Sequence, residues 1–354
     1  MNQEKLIRVC MIVPDTKVKG GIATVVNGYR TFGLGKEFEI SYIESYCDGS
    51  KLQKFLKALY GYVQFIKELF QSKPDIVHIH SSFGPSFWRK IPFIYMAGWL
   101  KIPIVNHVHG AEFDSFYVCA SNRKKRIIKN IYSRCTAFIA LSEEWQVKLE
   151  SIVPRDKITV IENYCIIPEK ISFKKKQILF LGEIGERKGC FDIPAIYAEV
   201  LKKQKNVPLL ICGDGESEKM NRLFREKHIE DAVSFLGWVR GEEKERLLME
   251  SAIFLFPSYN EGMPMALLEA MAYGLAVVTT NVGGIPKLID NGIDGYICEP
   301  GDILGIAEKV TELMKNDEKR VGFGVSARKK MKIYYSYEIH AEKLRRLYRR
   351  LLRG

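Results

Sequence analysis

The 354-residue chain is predicted to fold into two α/β domains, each built on a doubly wound parallel sheet. Its length exceeds the size at which a single hydrophobic core normally stops growing. Short apolar runs alternate with longer segments of helical periodicity, a pattern typical of parallel strands covered by helices. The alternation breaks once near the middle of the chain and then restarts. We therefore expect two such domains facing each other across a cleft, where a ligand can be contacted from both sides.

The first half of the chain contains four predicted strands. Each is a short apolar run that ends in a loop, at residues 6–13, 76–80, 103–108 and 137–141. The segments between these runs are long enough to hold the crossover helices that parallel strands require. This half is therefore expected to form one complete α/β domain.

The second half repeats the alternation with five more predicted strands. These strands lie at residues 177–184, 208–215, 233–239, 252–257 and 275–281. Between the two series, residues 162–177 show neither a helical nor a strand period and include Lys174, Lys175 and Lys176. We therefore assign 1–168 to a first domain, 169–330 to a second, and 331–354 to a basic helix expected to pack back on the first domain.

The net charge of +12 is unevenly distributed along the chain. Residues 1–168 carry +8, residues 169–342 carry −2, and residues 343–354 carry +6. Charge alone would allow nucleic-acid binding, but no motif of a nucleic-acid-binding fold supports it. A nicotinamide-dependent oxidoreductase would need the GxGxxG fingerprint, which is absent. The first half and the tail are therefore the expected binding regions for a charged partner.

The composition indicates a cytosolic protein. No segment approaches the roughly 20 apolar residues needed to span a bilayer, and the N-terminus lacks a signal-peptide pattern. The eight cysteines are scattered without CxxC spacing, so we expect reduced and mostly buried thiols rather than disulfides or a zinc site. Peripheral contact with the inner face of the cell membrane is the alternative location.

Glycines and a histidine follow the predicted strands of the first half, where ligands of doubly wound sheets bind. Gly20 and Gly21 precede a helical segment and leave backbone N–H groups open at its start, although a plain turn is the alternative. His109 lies just past a strand end. It is expected to contact a sugar hydroxyl or to present its backbone carbonyl, unless it is an ordinary loop histidine. His107 is expected on the opposite face of the strand, with a structural role.

Cations and a glycine turn follow the strands of the second half. Arg187 and Lys188 come after its first strand and would neutralise a departing diphosphate without a metal ion. The alternative is an ordinary solvated pair of cations. The turn at residues 213–215, GDG, either lies beside a nucleotide base or simply reverses the chain.

Two glutamates mark the last candidate loop. A helix is predicted to begin near Pro264, which places Glu261 in the preceding loop and Glu269 inside the helix. The backbone N–H groups at this helix start favour a phosphate, whereas the two carboxylates can accept hydrogen bonds from sugar hydroxyls. A nucleotide sugar, with its ribose, diphosphate and hexose, has a matching shape. The alternative is a loop acid at 261 and a solvated helix residue at 269.

Taken in order, these motifs resemble those of glycosyltransferase family 4, and the likeness extends over essentially the whole chain. The matching segments are GG at 20–21, HG at 109–110, RKG at 187–189, GDG at 213–215, the Glu261 and Glu269 pair, and GGIP at 283–286. The resemblance implies the GT-B fold, with two Rossmann-like domains, the first on the acceptor side and the second binding the nucleotide sugar. It also implies the metal-free, retaining enzymes used in bacterial capsule, lipopolysaccharide or exopolysaccharide synthesis.

The resemblance further implies the reaction and the residue roles. A hexose would move from a nucleotide-diphospho-sugar, a UDP-sugar rather than a GDP-sugar, to a hydroxyl of a glycan or lipid-linked glycan, with no cofactor. The residues implied as catalytic are His109, Lys188 and Glu261. Glu261 would contact the donor sugar, Glu269 the ribose and Lys188 the diphosphate. The remaining donor-binding residues implied by the resemblance would be Gly20, Gly21, Gly262, Met263 and Pro264, and we add Arg187 as a hypothesis of our own.

Two positions depart from the family pattern. Glu183 replaces the usual arginine after a strand-end glycine, and Lys287 replaces the usual glutamate after GGIP. Because Glu183 would repel a diphosphate, we hypothesise that Arg187 supplies the missing positive charge. Alternatively, Glu183 points away and Lys188 suffices. A further alternative is a catalytically weak nucleotide-sugar-binding subunit of a glycan-assembly complex.

The acceptor side is expected to contact anionic lipid. Residues 121–134 are rich in cations, and residues 83–100 interleave aromatic residues with Arg89 and Lys90. Such surfaces attract anionic headgroups at about 1 kcal/mol per nearby cation. The alternative is a buried helix at 83–100 and a solvated basic face at 121–134. The tail either packs as a closing helix or touches the membrane.

Overall fold

The structure is a computed structural model that describes residues 6–110, 112–173 and 176–353. The chain divides into two compact units. The first unit runs to Asn163 and includes the chain again from Tyr337, and the second unit spans Tyr164–Ser336. The boundary predicted at 168/169 lies slightly later in the chain than this division. Lys174 and Lys175 of the predicted linker lie outside the described residues.

The first unit contains a six-stranded parallel sheet in the order β2-β1-β3-β4-β5-β6. Its strands are β1 (Ile7–Val13), β2 (Phe38–Glu44), β3 (Ile76–Ser81), β4 (Ile104–Val108), β5 (Ala137–Ala140) and β6 (Ile158–Val160). The connecting helices are α1 (Gly21–Phe32), α2 (Lys51–Gln71), α3 (Pro85–Trp99), α4 (Asn122–Tyr132) and α5 (Glu143–Glu150). The strand order reverses between β1 and β3, and ligands bind at such switch points in doubly wound sheets.

The second unit contains another six-stranded parallel sheet, in the order β9-β8-β7-β10-β11-β12. Its strands are β7 (Gln177–Leu181), β8 (Leu209–Cys212), β9 (Val233–Gly237), β10 (Ser251–Phe256), β11 (Ala276–Thr280) and β12 (Gly295–Cys298). The helices are α6 (Ile193–Lys203), α7 (Ser217–Glu226), α8 (Gly241–Glu250), α9 (Met265–Ala272), α10 (Ile285–Leu288), α11 (Ile303–Lys315) and α12 (Asp317–Tyr334). Here the order reverses between β7 and β10.

The predicted fold class is confirmed, since both units are doubly wound α/β sheets. All nine predicted strands are present, whereas β2, β6 and β12 were not predicted. Each of these three strands forms an edge of its sheet. An edge strand buries less surface than a central one, so β2 is half-exposed and β6 and β12 are very short, and none of them shows a clear apolar run.

The last helix, α13 (Tyr337–Arg353), belongs to the first unit. Its apolar face is buried at Leu344, Leu347 and Tyr348, while Arg349 on its outer side pairs with Glu37 at 2.6 Å. The leucines and arginines of the tail therefore separate onto two faces of one packed helix.

The cysteines are free thiols, and five of the eight are buried. Among the described residues, no helix combines the length and the apolar character that crossing a membrane would need.

Candidate active site

The switch point of the second unit brings together the two residues predicted to be catalytic in this half. Lys188 follows β7 and Glu261 follows β10, and these two strands are neighbours in the sheet. The Lys188 ammonium Nζ lies 2.5 Å from the Glu261 carboxylate Oε1. Parallel strands end at the same sheet edge, so residues 73 positions apart in the sequence become an ion pair.

The loop that carries Lys188 is held firmly against the end of β10. Gly189 has φ 65°, and a Cβ atom there would lie 1.9 Å from the Pro257 carbonyl oxygen, so only glycine allows this approach. The Arg187 carbonyl accepts hydrogen bonds from the Tyr259 backbone N–H at 2.8 Å and from the Ser258 hydroxyl at 3.0 Å. The position of Lys188 is therefore set by backbone contacts as well as by its charge.

Glu261 is a buried carboxylate whose charge is compensated. Its residue is 5% exposed, and its Oε1 accepts hydrogen bonds from the Ser258 hydroxyl at 2.8 Å and from Lys188. The Lys188 ammonium also lies 4.8 Å from the centre of the Phe256 ring. A buried charge without a partner would cost several kcal/mol, so these contacts are what permits an ionised acid here. Ser258 was not predicted, because a serine three residues before an acid has no distinctive spacing.

Arg187 connects the unusual Glu183 to this pair. Its guanidinium lies 3.5 Å from both Glu183 and Glu261 and donates a hydrogen bond to the Asn260 carbonyl at 3.1 Å. The Glu183 side chain is 71% exposed yet remains in contact with Arg187. The charge of Glu183 is therefore partly offset within its own loop.

Glu269 lies inside α9, as predicted, and forms a separate ion pair. The helix begins at Met265 with Pro264 as its N-cap, one residue later than a proline in the first turn would give. The Glu269 carboxylate lies 2.6 Å from the Lys244 ammonium on α8, and both side chains are largely buried. Lys244 was not predicted, because nothing in the local sequence relates it to a helix that begins 21 residues later.

The glycine pair at 283–284 lies directly against the Glu261 segment. Gly283 has φ 53°, and a Cβ atom there would lie 1.7 Å from the Glu261 carbonyl oxygen. The Gly284 N–H donates to the Gly262 carbonyl at 2.9 Å. Gly262, Met263 and Pro264 are all buried in this arrangement. The GGIP segment thus supports the backbone that leads from Glu261 into α9.

The GDG turn is close to the same edge of the sheet. It follows β8, and Gly215 forms a parallel bridge with Ile184 in the loop after β7. The turn therefore supports the Lys188 loop while it reverses the chain.

Gly20 and Gly21 lie at the switch point of the first unit. Gly20 is the N-cap of α1 with φ 127°, and Gly21 is the first residue of the helix. Both are exposed, and the first turn of α1 has no acidic residue. The open helix start that the sequence predicts is therefore present just beyond β1.

His109 lies just past β4 and contacts a second histidine on β3. Its Nε2 lies 2.9 Å from Nδ1 of His80, and its backbone N–H donates to the Ser81 carbonyl at 2.8 Å. The expectation that His107 faces the opposite side was wrong. Residues two apart in a strand share a face, and the rings of His107 and His109 are 4.0 Å apart.

Five of the six histidines of the chain form one cluster in the first unit. The members are His78, His80, His107, His109 and His340. Burial lowers the pKa of His78 and of His109 to about 3 and that of His340 to about 4, so these three imidazoles are neutral at pH 7. The cluster was not predicted as a whole. Its signal was the repeated H-x-H in two consecutive strands, which directs both pairs to one face.

Lys90 is buried, which for this residue agrees with the alternative of a buried helix at 83–100 and not with a lipid-facing cation. It is 3% exposed and donates to the Ser45 hydroxyl at 2.6 Å and to the Ile12 carbonyl at 3.3 Å. Burial lowers the pKa of Lys90 well below its usual value. The opposite face of the same helix, α3, exposes Trp88 and Trp99.

Comparison with known families matches both halves of the chain. Residues 28–164 match the family model described as "Glycosyltransferase Family 4", and residues 166–330 match the model described as "Glycosyl transferases group 1". The boundary between the two matches lies close to the division between the structural units.

Individual proteins show the same relationship. The chain is 27% identical over 293 residues to the amylovoran biosynthesis glycosyltransferase AmsK of Erwinia amylovora, covering 78% of this chain and 70% of that protein. It is 26% identical to the UDP-Gal:alpha-D-GlcNAc-diphosphoundecaprenol alpha-1,3-galactosyltransferase of Escherichia coli, covering 82% and 79% of the two chains. Sucrose-phosphate synthase from Thermosynechococcus elongatus superposes with a TM-score of 0.80 at 16% identity, covering 98% and 99%.

Proposed function

The chain belongs to glycosyltransferase family 4 and has the GT-B fold, and from this we propose a retaining transfer of a hexose from a nucleotide-diphospho-sugar to a glycan hydroxyl. The acceptor is a glycan or lipid-linked glycan, and the reaction serves cell-surface polysaccharide synthesis. The names of the similar proteins, an amylovoran biosynthesis enzyme and a galactosyltransferase acting on a diphosphoundecaprenol glycan, support this assignment.

The buried pair of Lys188 and Glu261 is the observation that carries the proposal. The contacts of Glu261 with Lys188, Ser258 and Arg187 use Oε1, which leaves Oε2 to accept a hydrogen bond from a sugar hydroxyl in the proposed complex. The backbone of 262–264 then leads into the start of α9, where N–H groups and the helix dipole favour an anion. In the proposal, the segment from Glu261 to the start of α9 thus contacts the sugar through a carboxylate and the phosphate through the positive end of the helix dipole.

Stabilisation of the leaving diphosphate follows from the same geometry. Lys188 and Arg187 supply positive charge beside the developing negative charge, and the helix start adds oriented N–H donors. These groups do the electrostatic work with protein side chains, so the proposed reaction uses no metal ion and no cofactor. Arg187 has a second task in this scheme, because its contact with Glu183 limits the repulsion of the donor.

We assign the ribose to Glu269 and the base to uracil. Glu269 lies about one helical turn into α9, and Lys244 holds its carboxylate in one orientation. The name of the galactosyltransferase with 26% identity includes UDP-Gal as donor, which supports a UDP-sugar. In the first unit, His109 is assigned to the transferred sugar, and Gly20 and Gly21 to the donor phosphate and acceptor.

Thermal stabilisation by nucleotides tests the donor site directly. UDP, GDP, ADP and their sugar conjugates are compared without metal on the wild type and on Glu269→Ala, since specific binding raises the melting temperature by mass action. We expect stabilisation by UDP and a UDP-hexose, and its loss in the variant. Lys244→Ala is the matched control, because it breaks the same ion pair but keeps the ribose-binding carboxylate, and it should retain most of the shift.

The test separates the proposal from its alternatives. A response to GDP or ADP alone would overturn the choice of base, and a response to none of them would overturn the donor site. Stabilisation by a UDP-sugar without release of UDP in the presence of bacterial lipid-linked glycans would instead identify a binding subunit with little activity.

The first unit also has a face suited to an anionic membrane. The exposed side of α2 is apolar along its whole length, and its exposed residues are Leu52, Phe55, Leu56, Leu59, Tyr60, Val63, Ile66 and Phe70. Tyr62 of α2 donates a hydrogen bond to the Arg89 carbonyl, which joins α2 to α3 and its exposed tryptophans Trp88 and Trp99. Apolar patches of this extent mark interaction surfaces, and tryptophans favour the membrane interface.

Positive charge around this face favours a bilayer as its occupant. Lys51 and Lys67 are exposed on α2, and the Arg134 guanidinium lies 4.3 Å over the ring of Tyr95 on α3. The lysines and arginines of α4, the helix that precedes Arg134 in the chain, contribute further positive charge. An amphipathic helix flanked by cations lies in the interface of anionic membranes. Docking there on the cytoplasmic face would bring the enzyme to a lipid-linked acceptor.

Vesicle sedimentation tests this surface. Vesicles containing phosphatidylglycerol should bind the wild-type protein, and pure phosphatidylcholine vesicles should bind it less. Val63→Glu should weaken binding by roughly tenfold or more, because it removes an inserted apolar side chain and adds repulsion. Gln64→Glu on the polar side of α2 adds the same charge and should have little effect. Equal binding of both variants would exclude α2 as the docking face.

A further inference from the structure

Three histidines of the cluster have ring nitrogens without a visible partner, although they are buried. His78 and His107 are fully buried, and His80 is 1% exposed. Among the described residues, nothing hydrogen-bonds to Nε2 of His78, to Nε2 of His80 or to either ring nitrogen of His107. Buried polar atoms are nearly always satisfied, so this group of unpaired atoms requires an explanation.

The unpaired nitrogens belong to residues that lie close together. One ring nitrogen from each of the three histidines falls within 4.8 Å of the others. The sheet creates this arrangement, because His80 and His107 are directly opposite in the register of β3 and β4, and His78 shares the face of His80. Three imidazoles therefore converge on one place from two neighbouring strands.

The other nitrogens of two of these rings are held by partners. Nδ1 of His78 lies 2.5 Å from the Tyr348 hydroxyl on α13, and Nδ1 of His80 lies 2.9 Å from Nε2 of His109. Histidines that bind a metal almost always use the second nitrogen in this way, which sets the tautomer and leaves the ligating nitrogen with its lone pair. When His78 and His80 donate through Nδ1, the unpaired Nε2 of each ring is an acceptor with a free lone pair.

We propose that His78, His80 and His107 form a binding site for a late first-row transition-metal ion, with zinc as the first candidate. Neutral imidazole is a preferred ligand for such ions, and three of them make a recognised ligand set. Zinc to nitrogen distances are about 2.0–2.1 Å, so ring nitrogens that lie within 4.8 Å of one another must come closer, and the stacked rings of His78 and His80 must rotate, to bind the ion. The ion has a structural role, because α13 covers this face of the sheet through Tyr348.

The proposed metal site is linked to His109, the proposed catalytic histidine, by a hydrogen bond. A metal on Nε2 of His80 requires the proton to remain on Nδ1, which then donates to Nε2 of His109. The ion would thereby hold His109 in one tautomer, with its proton on Nδ1. The metal proposal does not depend on the proposed transfer reaction, since the ligands are defined without the donor.

Metal content and a cobalt spectrum test the site. The untagged full-length chain is grown with zinc, passed through a mild chelator, and analysed by mass spectrometry for metal. We expect about one zinc per chain in the wild type and in His228→Ala, which removes the one histidine outside the cluster. His107→Leu, which breaks none of the observed hydrogen bonds, should lose the zinc. Zinc added to chelated wild type should raise its melting temperature with saturation at one ion per chain.

The absorption spectrum of bound Co²⁺ tests the metal site even if His107→Leu fails to fold. Co²⁺ added to chelated wild type should give visible absorption of four- or five-coordinate nitrogen ligation without a thiolate charge-transfer band. A thiolate band would show that cysteines bind the ion and would overturn the proposal. It is equally overturned if the wild type binds no ion, or if a folded His107→Leu keeps its zinc.

Discussion

The two units differ in the side chains at the ends of their central strands. The second unit has a lysine and a glutamate in contact, whereas the first unit has neutral imidazoles. In the second unit, Lys188 and Glu261 follow the two strands that flank the switch point. In the first unit, His80 lies near the end of β3 and His109 directly follows the neighbouring strand β4. Both units have the same layered architecture. The two units therefore differ in the side chains that lie at this edge of each sheet.

The side chains of the two units differ in charge because different groups surround them. The buried Glu261 carboxylate is contacted directly by a lysine ammonium and a serine hydroxyl. The imidazoles lose their charge because burial disfavours the charged form and other histidines surround them. The second unit is thus suited to an anionic, hydroxyl-rich ligand, and the first to ligands that need neutral nitrogen.

The largest effect is expected where backbone contact supports the charged pair. Gly283→Ala would force a left-handed φ on alanine and place its Cβ against the Glu261 carbonyl. We expect the free energy of unfolding of the second unit to fall by about 4 kcal/mol or more, since strain and overlap add. Hydrogen exchange resolved by peptide measures each unit separately.

Gly322→Ala is the matched control in the second unit. Gly322 lies in α12 with open space around its Cβ position, so alanine should raise helix stability by about 0.5–1 kcal/mol. A small effect of Gly283→Ala would show that the GGIP segment does not support Glu261.

The next largest effect concerns the charge itself. Lys188→Ala removes the ammonium from the Glu261 carboxylate and, in the proposed reaction, from the leaving diphosphate, so kcat should fall about 10²–10³-fold. Release of nucleoside diphosphate from the donor measures this loss. Lys202→Ala, which removes an exposed lysine paired with Glu199, should leave kcat unchanged. Comparable rates in the two variants would remove Lys188 from the mechanism.

The first unit should be the acid-sensitive one. The pKa of His340 is about 4 in the folded chain against an ordinary value near 6.5, so the unfolded chain binds a proton that the native state excludes. The free energy of unfolding of the first unit should therefore fall as pH decreases from 6.5 to 4, by up to about 1.4 kcal/mol per pH unit from this group. Around the ring lie the Tyr29 hydroxyl, the Glu162 carbonyl, Lys343 and His107.

Hydrogen exchange between pH 7 and 4.5 tests this difference between the units. The second unit is the internal control, because its one histidine, His228, is exposed. His340→Gln keeps a side chain that can hydrogen-bond but cannot gain this proton, so it should make the pH dependence of the first unit less steep, while the other buried histidines keep their contribution. An identical slope in wild type and variant would mean that His340 is protonated in the native state.

The smallest effects are expected for exposed ion pairs in both units. Arg349→Ala in the first unit and Arg246→Ala in the second each break one exposed pair, with Glu37 and Glu250 respectively. Each should lower the free energy of unfolding by about 0.5 kcal/mol, measured in urea. A loss above about 2 kcal/mol for Arg349→Ala alone would show that charge, rather than leucine packing, holds α13 in place.

Elements with a local signal could be predicted from the amino-acid sequence. The apolar runs that became β1, β3 and β10 are buried central strands, and burial on both faces requires continuous apolar sequence. The spacing of Glu261, Pro264 and Glu269 located a helix start to within one residue. Edge strands such as β2 escaped prediction because one side of an edge is left without a neighbouring strand.

The contacts between distant side chains could not be predicted from the sequence and are seen in the three-dimensional structure. Lys188 reaches Glu261, Lys244 reaches Glu269, and His340 of the last helix joins histidines of β3 and β4. These pairings depend on strand order and register, which bring together residues that are far apart in the chain. Local periodicity determines which face a residue occupies, but the partner across that face is set by the packing of distant segments.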